Sequence, residues 1–144
     1  MIKILIAEDS PVNRELLREL LEMRGYAVSE ACNGEEALHM VETAQPDVLL
    51  LDLSMPVQDG FATLRKIREN PTLASLPVLA VTAYAMRGDR EKILDAGFDG
   101  YLSKPIHALT LLGEINRLLG GRVPATAQSH DMEVERAPIK GNKQ

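Results

Sequence analysis

The chain contains no tryptophan, and aromatic residues make up only 3% of its 144 positions. Proteins that stack nucleobases on aromatic rings or track phosphates with clustered bases have a different composition. Here the formal charge is −5 and the lysines and arginines form no cluster. Residues 121–144 hold four bases (Arg122, Arg136, Lys140, Lys143) against three acids (Asp131, Glu133, Glu135), so residues 1–120 carry −6. A body this acidic repels a phosphate backbone, and direct nucleic-acid binding is not expected. The single cysteine, Cys32, rules out an internal disulfide framework and suits a reducing cytoplasm. It is expected to be a small buried hydrophobe, not a nucleophile. His39, His107 and His130 stand far apart, without the spacing of zinc ligands. No apolar run approaches the roughly 20 residues of a membrane span. The opening Met1–Ile6 reads as the start of a strand, not as a signal peptide.

What is present is an ordinary globular balance, 45% hydrophobic and 26% charged, enough for one domain with a full core. The chain is organised around Asp47-Val48-Leu49-Leu50-Leu51-Asp52-Leu53-Ser54-Met55-Pro56. Its central aliphatic run suits a strand covered on both faces, and it drives straight into a carboxylate followed by turn residues. Asp52 therefore sits where a strand leaves the sheet, the usual place for chemistry in an open α/β fold.

The other segments follow the same rhythm. Lys3–Ala7 reads as a strand ending in Glu8-Asp9, and Ser10-Pro11 caps a helix whose leucines recur every three to four residues as far as Gly25. Residues 26–31 predict a less apolar strand, nearer an edge. Asn33 and Glu36 predict a capping box for a helix with Ala37, Leu38 and Val41 inward. Further helices are expected at about 59–70, 87–96 and 106–119, and strands at 76–82 and 101–103. Five strands alternating with five helices, and no hairpin turn between strands, imply a doubly wound α/β domain with a parallel sheet. The folded domain is expected over residues 1–120. Residues 121–144, mixed in charge and without periodicity, read as a flexible tail.

Parallel strands share one rim at their carboxyl ends. Glu8-Asp9, Asp52, Thr82 and Lys104 stand at four of the predicted ends. Three acids against one lysine leave excess negative charge that raises carboxylate pKa values unless a counter-ion is bound. Hard oxygen donors of this kind suit Mg²⁺. With a divalent cation in place, Asp52 can attack a phosphoryl group and hold it as an acyl phosphate. Thr82 and Lys104 would meet the transferred oxygens.

These motifs, together with Met55-Pro56, Gly60, Thr82-Ala83 and Lys104-Pro105, resemble the receiver domain of two-component response regulators over residues 2–119. The resemblance implies a flavodoxin-like sheet in the order 2-1-3-4-5. It implies that Asp52 is the phosphoacceptor, with Thr82 and Lys104 catalytic. Mg²⁺ (with Mn²⁺ as a substitute) would lie on Asp9, Asp52 and the main-chain carbonyl of Ser54, Glu8 acting largely through water. The Lys104-Pro105 bond is expected to be cis. Tyr101 matches the family's switch aromatic, moving with Thr82 to alter a protein-binding face made by the fourth helix, fifth strand and fifth helix. Tyr84 lies where the family tunes phosphoryl lifetime. The segment from Thr82 to Asp89 looks most like single-domain and phosphorelay receivers, including the polar-differentiation regulators.

The implied function is a stand-alone cytoplasmic receiver, a signalling switch and not an enzyme acting on other substrates. A histidine kinase or histidine phosphotransfer protein would supply its phosphate, and a downstream protein would read it. It would be a monomer or a phosphorylation-dependent homodimer, with no membrane association. Two other classes fit less well. Haloacid-dehalogenase-like phosphohydrolases need an acid two residues after the nucleophile, where this chain has Ser54. A nucleotide or flavin module needs a glycine-rich loop where Glu8-Asp9-Ser10-Pro11 stands. The tail could also recruit a separate output protein.

Overall fold

The aliphatic run that ends in Asp52 lies at the centre of the sheet, between two other apolar strands. Strand β1 (Lys3–Ala7) and strand β3 (Val48–Asp52) pair in parallel, Ile4 opposite Val48 and Ala7 opposite Leu51. This is a computed structural model, and it describes residues 1–54, 59–83 and 89–121. Outside β1 lies β2 (Ala27–Ala31), and beyond β3 come β4 (Val78–Thr82) and β5 (Gly100–Ser103). All pairs are parallel, giving the order β2-β1-β3-β4-β5. Every residue of β3 and β4 is buried, whereas β2 is mostly half-buried, as its weaker apolar pattern and edge position require. Strand β4 starts two residues later than the apolar run suggests. Leu76 and Pro77 stand before it, and Pro77 contributes only its carbonyl, which accepts from the Leu49 N–H at 3.0 Å.

Helices cover both faces. Side chains alternate along each strand, so Ile4, Ile6, Val48 and Leu50 meet helices α1 (Pro11–Met23) and α5 (Ala108–Leu118). Leu5, Ala7, Leu49 and Leu51 meet α2 (Gly34–Thr43), α3 (Gly60–Glu69) and α4 (Asp89–Asp95). The caps are as the sequence suggests at α1, where the Ser10 hydroxyl accepts from the Asn13 N–H at 3.3 Å and Gly25 follows at φ 92°. At α2 the Asn33 side chain caps Glu36 N–H at 2.8 Å, but the Glu36 carboxylate returns to the N–H of Cys32 (2.7 Å), one residue before the cap. Cys32 is exposed, contrary to expectation. Ala31 is the last buried residue of β2, and Cys32 lies past it in the turn leading into α2. Two apolar helix residues also face solvent: Ala108 at the start of α5, and Leu94 on α4, where Ile93 alone is buried. Neighbouring helical residues point about 100° apart, and on this seven-residue helix it is Ile93 that turns to the sheet.

Candidate active site

Two buried acids and one lysine meet at the carboxyl edge. Asp52 ends β3, the central strand, and Glu8 follows β1 directly beside it; each is only 2% exposed. Both fall on the α1/α5 side by strand alternation. The Lys104 ammonium, just past β5, spans them at 2.8 Å from Asp52 Oδ2 and 3.2 Å from Glu8 Oε1. The Lys104 main-chain N–H donates to the Thr82 carbonyl at 2.8 Å, and the Lys104-Pro105 bond is cis. Asp52 Oδ1 accepts from the N–H of Ser54 at 2.9 Å, and Glu8 Oε2 accepts from that of Ser10 at 3.2 Å. Both oxygens of Asp52 are thus held, and each retains a further lone pair.

Asp9, exposed at the mouth, completes an acidic triplet. One carboxylate oxygen from each of Glu8, Asp9 and Asp52 lies within 4.8 Å of the others. Burial first, and the Asp52 charge second, push the Glu8 carboxyl above the usual glutamate range. For Lys104 burial works downward, yet the hydrogen bond and charge of Asp52, with Glu8 behind them, outweigh it and the ammonium is held above the ordinary lysine value. A pocket whose buried acid resists ionisation, with hard oxygen donors converging at its mouth, fits a small divalent cation such as Mg²⁺.

Two further expected site residues, Thr82 and Tyr101, stand on the adjacent strands β4 and β5. Thr82 is buried at the end of β4, but alternation places it on the face opposite Asp52. There it lines a hollow of about 380 Å³ with Ser54, Asp59, Phe61 and Ile93. Tyr101 pairs with Ala80 and packs, half-buried, on the same α2–α4 side. Gly60 explains itself: a Cβ there would lie 2.9 Å from the Asp52 carbonyl oxygen and 2.8 Å from Leu53 Cδ2. Met55-Pro56, Tyr84 and residues 122–144 fall outside the described residues.

Sequence reasoning missed the arginine behind the acidic turn. Arg14 donates to the main-chain carbonyls of Glu8 (2.8 Å) and Asp9 (3.3 Å) and pairs with Glu30 of β2 at 3.1 Å. The available signal was spacing. Arg14 and Arg18 flank the Leu17–Leu21 stripe one turn apart, and Glu30 is the one acid in β2.

Comparison with known proteins completes this picture. Residues 4–116 match the model of the response regulator receiver domain. The chain belongs to that family. Among curated relatives, the polar-differentiation response regulator DivK of Brucella anthropi is 37% identical over 117 residues, covering 81% of this chain and 95% of that one. Among solved structures, the receiver domain of a Pseudomonas aeruginosa sensor histidine kinase, with a magnesium ion coordinated in its active-site cleft, is 36% identical at a TM-score of 0.77. That similarity covers 83% of this chain and 98% of the other. The chemotaxis regulator CheY4 of Vibrio cholerae gives 32% identity and a TM-score of 0.77 over 83% and 99%. A receiver-family chain is a signalling module of two-component systems. Among the described residues no helix is long and apolar enough to cross a membrane.

Proposed function

We propose that this receiver accepts a phosphoryl group on Asp52 from a phosphohistidine of a histidine kinase or phosphotransfer protein. The reading is carried by the Glu8–Asp52–Lys104 arrangement, a buried carboxylate whose position is fixed on both oxygens beside an ammonium. In the transfer an Asp52 oxygen attacks phosphorus, the new O–P bond forms as the donor's N–P bond breaks, and the electron pair leaves on the imidazole nitrogen. Lys104 stays charged throughout and moves from the carboxylate to a phosphoryl oxygen, where its charge stabilises the transfer. Thr82 takes another oxygen after a shift of β4's end toward the site. Asp9, Asp52 and the Ser54 carbonyl would hold Mg²⁺, or Mn²⁺ in its place, with Glu8 acting through water. The bound ion would neutralise phosphoryl oxygens and lower the repulsion among the acids.

The input side is the groove of about 450 Å³ between α1 and the turn before α5, lined by Leu16, Leu17, Pro105 and Ile106 and opening onto Glu8 and Lys104. Val12 and Leu16 stand 66% and 61% exposed on the same helix, an apolar surface suited to a donor protein. The output is the face of α4, β5 and α5, read by a downstream protein or by a second copy of the chain. The short α4, in which Ile93 is the one buried residue, and the half-buried Tyr101 support movement there. The protein is a cytoplasmic switch that catalyses only its own phosphorylation and dephosphorylation. Residues 1–120 form the phosphoacceptor domain, and 121–144 a tail.

The test is phosphotransfer profiling against purified kinases and a small phosphodonor. Wild-type protein should gain one phosphoryl group only when Mg²⁺ is present, and Asp52→Asn should gain none. Labelling of Asp52→Asn at the wild-type rate would place the acceptor elsewhere.

A further inference from the structure

The acidic turn between β1 and α1 is gripped from behind. Its two carboxylates face the pocket, while its two carbonyls turn the other way, onto one guanidinium. Arg14 Nη1 takes the Glu8 carbonyl at 2.8 Å and the Asp9 carbonyl at 3.3 Å. Its Nε is fixed at 3.1 Å by Glu30 Oε1, and Glu30 Oε2 is in turn paired with Arg18. Strand β2 holds the same turn a second time, through the Glu8 N–H on the Ala31 carbonyl at 3.0 Å. The side chains of Arg14 and Glu30 are only 19% and 23% exposed, so solvent competes weakly for these bonds.

We propose that Arg14, clamped by Glu30, is a positioning residue for the metal-binding carboxylates of this receiver. The inference rests on the magnesium reading given above. The physical link is short. Holding a residue's C=O fixes its ψ, and with it the direction of its Cα–Cβ bond relative to the chain that follows. Glu8 is also anchored through its side chain, by Lys104 and the Ser10 N–H. Asp9 is exposed, so the Arg14 contact on its carbonyl is the described bond that orders it from the protein side. Partners one shell behind the ligands commonly govern metal affinity by tenfold or more.

The sign of the effect separates positioning from simple charge. A guanidinium near the pocket repels a divalent cation, so charge alone says that removing it strengthens binding. Positioning says the reverse. Binding of Mn²⁺, counted by electron paramagnetic resonance of the free ion, and of Mg²⁺ by calorimetry should therefore be measured on the intact chain at a temperature where circular dichroism shows each variant folded. Arg14→Met, which keeps most of the apolar stem, should raise the dissociation constant about tenfold. An unchanged or tighter constant overturns the proposal.

Glu30→Ala supplies a second arm, since it leaves the guanidinium and removes its clamp. Its weakening should persist in 1 M KCl, where charges more than about 3 Å apart are screened. Weakening that vanishes in salt would reduce Glu30 to a remote charge and overturn the clamp. The double variant Arg14→Met/Glu30→Ala should bind no worse than Arg14→Met, because the clamp then has nothing to hold. Additive losses would contradict the proposal. If wild-type protein bound neither ion, the magnesium reading itself would fail; if wild type binds and Arg14→Met binds equally well, only the role of Arg14 falls.

Discussion

Lys104 holds the site together in charge as well as in space. Its ammonium is the cation in contact with Glu8 and Asp52, and removing it leaves two buried carboxylates facing each other. Breaking a fully buried pair costs about 3–5 kcal/mol, whereas an exposed pair is worth under about 1. With 26% of its side chain in solvent, Lys104 falls between. Lys104→Met should therefore lower unfolding free energy by about 1–2 kcal/mol in urea titrations without Mg²⁺. The pH dependence has a definite direction. The folded pKa of Lys104 is raised, so its contribution is full below 10.5 and is lost as pH rises through the higher folded value. The wild-type advantage over Lys104→Met should hold from neutral pH to near 10.5 and shrink beyond it. Glu8 is also raised, so its proton stabilises the metal-free fold fully below 4.5 and ceases to as pH climbs through the folded value above that. A Glu8→Gln variant, which cannot release that proton, should be less sensitive across this window; an identical pH profile would remove Glu8 as its source.

The elements themselves were legible because each announces itself in its own periodicity. The buried run of β3, the leucine stripe of α1 and the caps at Ser10 and Asn33 are local signals that lie where the pattern places them, and β4 follows its apolar run two residues late. What ties one element to another was not legible, because a polar residue on a helix reads as surface whatever it reaches. Arg68 is the clearest case. From the end of α3 it donates to the carbonyls of Gly97 at 2.8 Å, Ala74 at 3.1 Å and Leu76 at 2.7 Å, and pairs with Asp99 at 3.0 Å. Asp99 Oδ2 also accepts the first N–H of β4, from Val78 at 2.8 Å. One side chain thus fastens the loops at the amino ends of β4 and β5. Arg68→Ala leaves several carbonyls and Asp99 to find other partners and should cost about 2–3 kcal/mol in chemical denaturation. Loss of under about 0.5 kcal/mol, the level of an ordinary surface change, would show that water replaces these bonds freely.

At the scale of the molecule, the sheet gathers at one rim residues that stand almost a hundred positions apart. Glu8, Asp52 and Lys104 meet because β1, β3 and β5 run parallel, and their strand-end positions made that convergence readable. Their pairing was not readable, since it depends on how far Lys104 reaches across β4's end. The same parallel order set Thr82 on the other face, a matter of register that composition does not report. The consequence is a fold that carries excess negative charge at its functional edge and in its body, −6 over residues 1–120. A ligand that binds only the folded state stabilises it by mass action, by about 2.7 kcal/mol at a hundredfold excess over its dissociation constant. For a domain of this size that amounts to a rise of about 10 °C in Tm. Mg²⁺ at such a concentration should produce that rise in wild-type protein. NaCl of equal ionic strength should not, because screening leaves three oxygens within 4.8 Å uncoordinated. Asp9→Asn removes one formal charge at the mouth without emptying the core, so it should keep the metal-free Tm and lose most of the magnesium shift. An undiminished shift in that variant would mean that the ion stabilises the protein from somewhere other than this edge.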